Sequence, residues 1–316
     1  MIVVSGTQRS GTSLWMQVLH AAGFPVIGEP FPAGTERLAA ANPRGFWESQ
    51  LAGGIYFRTN PHPYSGDYLA PGPTRDHAVK VFLAGLVRSD VAFLDRVLVT
   101  VRGWRELAAS AARLDALRTD LRASPAAAGG AEPGGLPEAA TSAAARLEDA
   151  FHERLPPALA WWSDHFAFIR DVAVRGYPVH VVSYERLLAA PEREIDAALG
   201  WIGAGELAPA IAAVEPQLRT QRAAPTPDGV APEDAAIFDE LYRHLHEGID
   251  LSDAFIAELN AADARLRPQI LAHAAHARRA FALRALGLAD EPPRGGPSPS
   301  APASAASVHA HPRDVG

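Results

Sequence analysis

Glycine and hydroxyl residues follow the first apolar run of this sequence with the spacing of a phosphate-binding loop. Gly6 and Gly11 match the pattern G-x-x-x-x-G, and Ser13 stands where that pattern ends. A turn of this kind between a strand and a helix directs backbone N–H groups and the positive end of the helix dipole at one anion. Arg9 lies inside the turn and adds a planar set of donors for phosphate or sulfate oxygens. Thr12, however, occupies the position of the lysine that a nucleotide triphosphatase needs.

A second arginine and a serine are spaced to bind another phosphate. Arg102 follows the apolar run RVLVTV, at the carboxyl end of an expected strand, where open α/β sheets bind their ligands. Ser110 falls two turns into the helix that should follow, so both side chains can face one crevice. Because the strand ends in arginine and not in the aspartate that would hold magnesium, the pattern does not favour an ATP site.

Together these segments resemble the family of sulfotransferases that use 3′-phosphoadenosine 5′-phosphosulfate (PAPS). The resemblance rests on the runs SGTQRSGTSLW and VLVTVRGWRELAAS. It is extended by VHVVSYERLLAAPE, which is similar to the strand and YE-x-L segment of that family. With gaps, it spans roughly Met1 to Arg222. The resemblance implies a parallel sheet of the P-loop type, no magnesium, and transfer of a sulfonate group from PAPS to a hydroxyl or an amine.

The resemblance also implies a role for each matched side chain. Arg9 would contact the bridging oxygen of the phosphosulfate and stabilise the charge of the leaving group. Arg102 and Ser110 would hold the 3′-phosphate, and Tyr184 would lie beside the adenosine, the alternative being a buried tyrosine at the end of a strand. The residues that would surround the 5′-phosphate are Ser10, Gly11, Thr12 and Ser13.

The match extends to a late basic segment and departs from the family at two positions. Arg219 and Arg222, in PQLRTQR, resemble a segment that closes over the 3′-phosphate in some members. Arg9 stands where lysine is common in the family, although related branches carry arginine there. Lys80 resembles a lysine that bacterial relatives follow with Asp-Pro, whereas Val-Phe follows here.

Sulfonate transfer requires a base for the proton of the acceptor and a cation for the charge on the leaving oxygen. Glu29 comes 20 residues after the loop arginine and resembles the base of the protein-tyrosine branch. Glu48 is the second candidate base, and a histidine such as His62 or His77 is the third. Lys80, the only lysine of the sequence, lies in a candidate strand and is expected near the sulfonate or the acceptor. The alternative is a partly exposed lysine at the end of that strand.

Apolar runs and their spacing predict the elements that must hold these residues. The expected strands are Ile2–Ser5, a short one before Glu29, Ala78–Phe82, Arg96–Val101 and Val179–Tyr184. The expected helices are Thr12–Ala22, one after Arg102, Ala143–Arg175, Glu194–Ile202, Asp234–His246 and Ser252–Leu288. Strands that alternate with helices predict an α/β fold, with a P-loop-type parallel sheet flanked by helices and a helical C-terminal part.

Length and composition predict one domain and a cytoplasmic protein. The chain has 316 residues, of which we assign 1–289 to a sulfotransferase-like α/β domain. Residues 123–142, rich in alanine, glycine and proline, predict a flexible insertion or a lid, and residues 290–316 predict a disordered tail. We find no signal peptide and no apolar run long enough to span a membrane.

Net charge and residue usage argue against nucleic acid, disulfides and metal sites. A net charge of −7 disfavours nucleic acid, which needs a broad basic surface. The absence of cysteine excludes disulfides and thiolate zinc sites. No histidine pair is accompanied by a carboxylate or a third ligand at a suitable spacing, so no metal is expected.

Two other functions are compatible with the sequence. One is a P-loop kinase that acts on a small molecule, against which Thr12 argues. The other is a protein that binds adenosine phosphates without turnover. The acceptor of a sulfotransferase could be an apolar or aromatic small molecule or a carbohydrate, and the oligomeric state is open.

Overall fold

A parallel sheet forms the centre of the molecule. The computed structural model describes residues 1–32, 38–39, 42–123, 155–218, 226–227 and 229–285. Five strands in these ranges form one parallel sheet in the order β2-β3-β1-β4-β5. The strands are β1 (Ile2–Ser5), β2 (Val26–Ile27), β3 (Ala78–Lys80), β4 (Arg96–Val101) and β5 (Val179–Ser183). The all-parallel sheet with its flanking helices confirms the α/β class.

Helices connect the strands and follow the last one. The described helices are α1 (Thr12–Ala21), α2 (Leu83–Leu86), α3 (Trp104–Ala123), α4 (Pro157–Arg175), α5 (Tyr184–Ala189), α6 (Pro191–Ile202), α7 (Leu207–Ala212), α8 (Pro232–Glu247) and α9 (Asp253–Ala285). The starts of α6 and α8 precede the expected ones, because Pro191 and Pro232 stand in the first turn, where proline favours a helix. Of the helix expected from Ala143, residues before 155 lie outside the described ranges.

Two predicted strand ends are wrong by one or two residues. Tyr184 begins α5 instead of ending β5, because Ser183 caps that helix and its hydroxyl accepts the N–H of Arg186 at 3.2 Å. Phe82 leaves β3 and precedes α2, and its N–H donates to the carbonyl oxygen of Ala52 at 2.9 Å. The segments after β3 and β5 therefore both turn at the carboxyl edge of the sheet.

The sheet separates two apolar layers, and a third apolar cluster lies among helices. The layer with α1, α6 and α7 contains Trp15, Leu19, Ile195, Ile202 and Ala210. The layer on the other face contains Val3, Val99, Leu86 and Phe168. The third cluster joins α3, α4, α8 and α9 around Trp161, Trp162 and Phe238 and supports the helical C-terminal part. Alternate residues of β1 point into opposite layers, as expected of a strand buried on both faces.

Two segments are predicted to lack a packed structure. Residues 124–142 of the expected insertion and the whole expected tail, 290–316, lie outside the described residues. Among the helices that are described, none is both long and apolar enough to cross a membrane.

His165 is a buried ionisable residue in the third apolar cluster. Its Nδ1–H donates to the carbonyl oxygen of Trp161 at 2.7 Å, and Nε2 has no hydrogen-bond partner among the described residues. Burial lowers the pKa of His165 to about 4, although the bond to Trp161 opposes the shift. The imidazole is therefore neutral in the folded protein at neutral pH.

This buried imidazole should make the fold sensitive to acid. The unfolded chain binds a proton at the ordinary histidine pKa of 6.5, whereas the folded chain binds it only near 4. Stability should therefore fall as the pH drops from the first value to the second, by about 3 kcal/mol from this residue. Urea titrations across that range should show a shallower pH dependence for His165→Leu than for the wild type. His276→Leu, on the exposed face of α9, is the control, and an equal change in both variants would contradict the assignment.

Candidate anion-binding site

The turn between β1 and α1 has the backbone shape that its glycines predict. Gly11 precedes α1 in the left-handed conformation, with φ of 109°, and Arg9 also has a positive φ of 74°. A Cβ at Gly6 would lie 2.6 Å from the carbonyl oxygen of Thr100, so only glycine allows the turn to approach β4 so closely. The first turn of α1 has no side-chain cap and no acidic residue. The positive end of its dipole is thus left for a ligand.

The hydroxyl residues of the turn have different surroundings. Ser10 is fully buried, its N–H donates within the turn at 3.0 Å, and its carbonyl oxygen accepts the Thr100 hydroxyl at 3.0 Å. Thr12 is buried at the start of α1. The Ser13 hydroxyl donates to the carbonyl oxygen of Phe46 at 3.1 Å. The backbone of Ser10 therefore supports the turn, whereas its buried hydroxyl has no hydrogen-bond partner among the described residues.

The two predicted anion-binding groups meet at the carboxyl edge of the sheet. Nε of Arg9 donates to the Ser110 hydroxyl at 3.1 Å, and the Arg102 guanidinium donates to the carbonyl oxygen of Arg9 at 3.3 Å. Arg102 is only 6% exposed. The two residues of each bond are far apart in the chain, by 101 positions for the first bond and 93 positions for the second. The turn after β1 and the first turns of α3 therefore form one cationic site.

Tyr184 and Glu106 complete the surroundings of Arg102. The guanidinium of Arg102 lies 4.6 Å from the centroid of the Tyr184 ring and 3.4 Å from the Glu106 carboxylate. The same ring lies beside Gly11, where a Cβ would come within 2.6 Å of it. Tyr184 is therefore wedged between the turn and Arg102. Sequence reasoning missed Glu106, which lies in the first turn of α3, only four residues after Arg102.

Lys80 is buried at the same edge with its three donors engaged. Its ammonium donates to the Glu48 carboxylate at 2.7 Å, to the Phe46 carbonyl oxygen at 2.8 Å and to the Ser13 hydroxyl at 3.1 Å. Burial lowers the pKa of Lys80, the Glu48 carboxylate raises it, and the positive charge of Arg9 lowers it further. Lys80 is only 2% exposed, so the alternative of a partly exposed lysine is wrong.

The two candidate glutamates are neighbours in different surroundings. The backbone N–H of Glu29 donates to the carbonyl oxygen of Glu48 at 3.0 Å, and the reverse bond measures 3.2 Å. The Glu29 side chain is exposed, whereas Glu48 is half-buried and paired with Lys80. His77 precedes β3, at the opposite edge of the sheet. Nδ1 of His62 accepts two N–H groups of its own loop, at 3.2 and 3.1 Å. The glutamates, and not His77, thus lie at the edge that carries Lys80.

The assembled residues can bind an anion in two places. The turn with Arg9 offers one place, and Arg102 with Ser110 offers the other. Arg219 and Arg222 lie outside the described residues, so their contact with a phosphate stays a prediction. The described part of the chain contains no group of three or more His, Cys, Asp or Glu side chains that could hold a metal.

The chain matches no protein-family model, no curated protein and no solved structure. Its function must therefore be inferred from the geometry of this site and from the sequence motifs that form it.

Removing the carboxylate beside Lys80 should destabilise the fold. Glu48→Gln leaves a buried ammonium without its counter-charge, and breaking a buried ion pair is costly. We expect the free energy of unfolding at neutral pH to fall by about 2 kcal/mol, against less than about 0.5 kcal/mol for the exposed Glu29→Gln. Urea denaturation measures both values, with Glu29→Gln as the matched control. Equal losses would show that the pair does not stabilise the fold.

Proposed function

We propose that this protein is a PAPS-dependent sulfotransferase, which moves a sulfonate group from PAPS to a hydroxyl or an amine. The observation that carries the proposal is the meeting of the two anion-binding groups. Arg9 donates to Ser110 at 3.1 Å and accepts from Arg102 at 3.3 Å. A nucleotide with a 5′-phosphosulfate and a 3′-phosphate requires two such groups in one site. The sequence motifs assign the same residues to the same two groups.

Each matched residue then has a place around the donor. The turn formed by Ser10, Gly11, Thr12 and Ser13 would bind the 5′-phosphate, chiefly through backbone N–H groups. Arg102 and Ser110 would bind the 3′-phosphate. Tyr184, which lies between Gly11 and Arg102, would contact the adenosine. The late basic segment would close over the 3′-phosphate with Arg219 and Arg222.

The surroundings of Ser13 favour a donor without magnesium. In a P-loop kinase the corresponding hydroxyl binds Mg²⁺ beside the nucleotide phosphates. Here the Ser13 hydroxyl lies 3.1 Å from the Lys80 ammonium and donates to the Phe46 carbonyl oxygen. A divalent cation at Ser13 would lie next to a buried positive charge, at a high electrostatic cost. This supports PAPS over ATP as the nucleotide.

The transfer is an in-line displacement at sulfur. The acceptor oxygen or nitrogen forms a bond to sulfur as the bond from sulfur to the bridging oxygen breaks, which leaves 3′-phosphoadenosine 5′-phosphate. Arg9 and Lys80 supply positive charge for that leaving oxygen. Glu29, with its exposed carboxylate, is the proposed base that takes the proton of the acceptor. Because the Glu48 carboxylate is bound to Lys80 at 2.7 Å, we assign it to holding that ammonium in place.

The proposed acceptor is a small molecule or a carbohydrate, and the proposed location is the cytoplasm. The loop between Glu48 and Lys80 presents aromatic side chains to solvent, with Phe57 78% exposed and Tyr64 and Tyr68 more than half exposed. Aromatic rings stack on aromatic ligands and present apolar faces to sugars. These rings support such an acceptor without selecting one class.

Binding of 3′-phosphoadenosine 5′-phosphate, measured by calorimetry without and then with magnesium, tests the proposed donor. The wild type should prefer it to ADP and to 5′-AMP and should not require magnesium. Arg102→Ala should weaken its binding by about 2 kcal/mol, or roughly 30-fold, because charge-assisted bonds to the 3′-phosphate are lost. A strict magnesium requirement or a preference for ADP would favour the kinase alternative.

Arg105→Ala is the matched control for this experiment. Arg105 lies in the first turn of α3, three residues after Arg102, but its guanidinium is bound to Asp239, at 2.9 Å from one carboxylate oxygen. We expect it to leave the affinity within about twofold of the wild type. If Arg105→Ala and Arg102→Ala weaken binding equally, the 3′-phosphate site is misassigned.

Turnover of PAPS with a panel of phenols, alcohols and amines tests the proposed base. With an accepted substrate, Glu29→Gln should lower kcat by about 10²-fold or more and leave the affinity for 3′-phosphoadenosine 5′-phosphate unchanged. Glu48→Gln should act through Lys80 and reduce both kcat and stability. Full activity of Glu29→Gln would exclude it as the base. Tight nucleotide binding without transfer to any acceptor would favour the non-catalytic alternative.

A further inference from the structure

A polar cluster holds the peptide that follows Arg102. The Glu185 carboxylate accepts the backbone N–H of Gly103 at 3.4 Å. The ring of Tyr242, from α8, packs against Gly103, with two ring carbons 3.9 Å from where a Cβ would stand. The Tyr242 hydroxyl donates to the other oxygen of the Glu185 carboxylate at 2.6 Å. Glu185 and Tyr242 thus fix the backbone at the carboxyl end of β4.

Neighbouring hydroxyl and imidazole groups hold the Glu185 carboxylate in place. The Ser183 hydroxyl lies 3.2 Å from this carboxylate and 2.7 Å from Nδ1 of His246. Burial raises the pKa of Tyr242, and the negative charge of Glu185 raises it further. Tyr242 therefore keeps its proton at neutral pH and acts as the donor to Glu185.

The peptide bond between Arg102 and Gly103 helps to set the position of Arg102. The carbonyl oxygen of Arg102 accepts the indole N–H of Trp161 at 2.9 Å, so both polar atoms of the peptide bond between Arg102 and Gly103 are hydrogen-bonded. Tyr184 precedes Glu185 in the chain, and its ring lies against the Arg102 guanidinium. A displacement of Glu185 would therefore move both the backbone of Arg102 and the ring beside its side chain.

We infer that Tyr242 is a positioning residue for donor recognition, which acts through Glu185 to set the Arg102 guanidinium for a 3′-phosphate. The inference rests on the proposed function, because it concerns the group that distinguishes PAPS from donors without that phosphate. Tyr242 itself contacts Gly103, Glu185 and His246, and its role is to hold the backbone on which Arg102 stands.

Tyr242→Phe tests the inference, because it removes the hydroxyl and keeps the ring on Gly103. Calorimetry should compare 3′-phosphoadenosine 5′-phosphate with 5′-AMP, since the two differ only in the 3′-phosphate. We expect the affinity for the bisphosphate to fall about tenfold and that for 5′-AMP to change less than about twofold. The 5′-phosphate would be bound by the turn after β1, which contributes no residue to this cluster. A role confined to folding would weaken both ligands alike, and that result would overturn the inference.

Tyr177→Phe is the matched control. The Tyr177 hydroxyl also donates to a carboxylate, that of Asp171, at 2.8 Å, but it lies before β5 at the opposite edge of the sheet. It should lower the stability to a similar degree and leave the ratio of the two affinities unchanged. Glu185→Gln should lower this ratio as Tyr242→Phe does, and the double variant should lose less than the sum of the two.

The outcomes separate this inference from the proposed function. A wild type that binds both nucleotides equally would overturn the proposed donor and the inference together. A wild type that prefers the bisphosphate, with the same preference in Tyr242→Phe, would overturn the inference alone. An equal loss of preference in Tyr242→Phe and Tyr177→Phe would also overturn it, because the effect would then come from lost stability.

Discussion

The parallel pairing of β1 with β3 on one side and with β4 on the other is the constraint on which the whole site depends. It places Val4 beside Lys80 and Ser5 beside Val99, so the residues that follow these three strands lie at the same edge of the sheet. The turn, the buried ammonium and Arg102 come from distant parts of the chain and meet only in this register. Because side chains alternate between the faces of a strand, a slip of one residue in β4 would turn its whole set of side chains over.

Two of the positive charges at this edge are paired with carboxylates of the chain itself. Lys80 is paired with Glu48, and Arg102 with Glu106, in a chain whose net charge is −7. Such pairing lowers the cost of removing a cation from water. It also limits which ligands can bind, because an anion that binds Arg102 must replace or share the contact with Glu106. A phosphate with several charged oxygens can do so, whereas a neutral hydroxyl offers too little in exchange.

Local sequence patterns predicted most of the sheet and the turn, whereas the hydrogen-bond partners of Lys80 and the contact of Tyr242 with Glu185 could not be predicted. The runs IVVS and RVLVTV have the continuous apolar character of strands buried on both faces, and the spacing of Gly6 and Gly11 is a local signal. The partners of Lys80 lie 32, 34 and 67 positions away, partly in a loop without periodicity. Tyr242 and Glu185 are 57 positions apart and belong to different helices, so nothing in either segment points to the other.

The position of Lys80 beside Ser13 bears on how the site would respond to its environment. A cation that belongs to the chain cannot be removed by a chelator or diluted away, as a bound divalent ion can. Its charge instead requires a proton, and burial lowers the pKa at which that proton is lost. The proposed enzyme would therefore need no divalent ion at this point of the site. Alkaline conditions would instead remove the proton, and with it the charge, from Lys80.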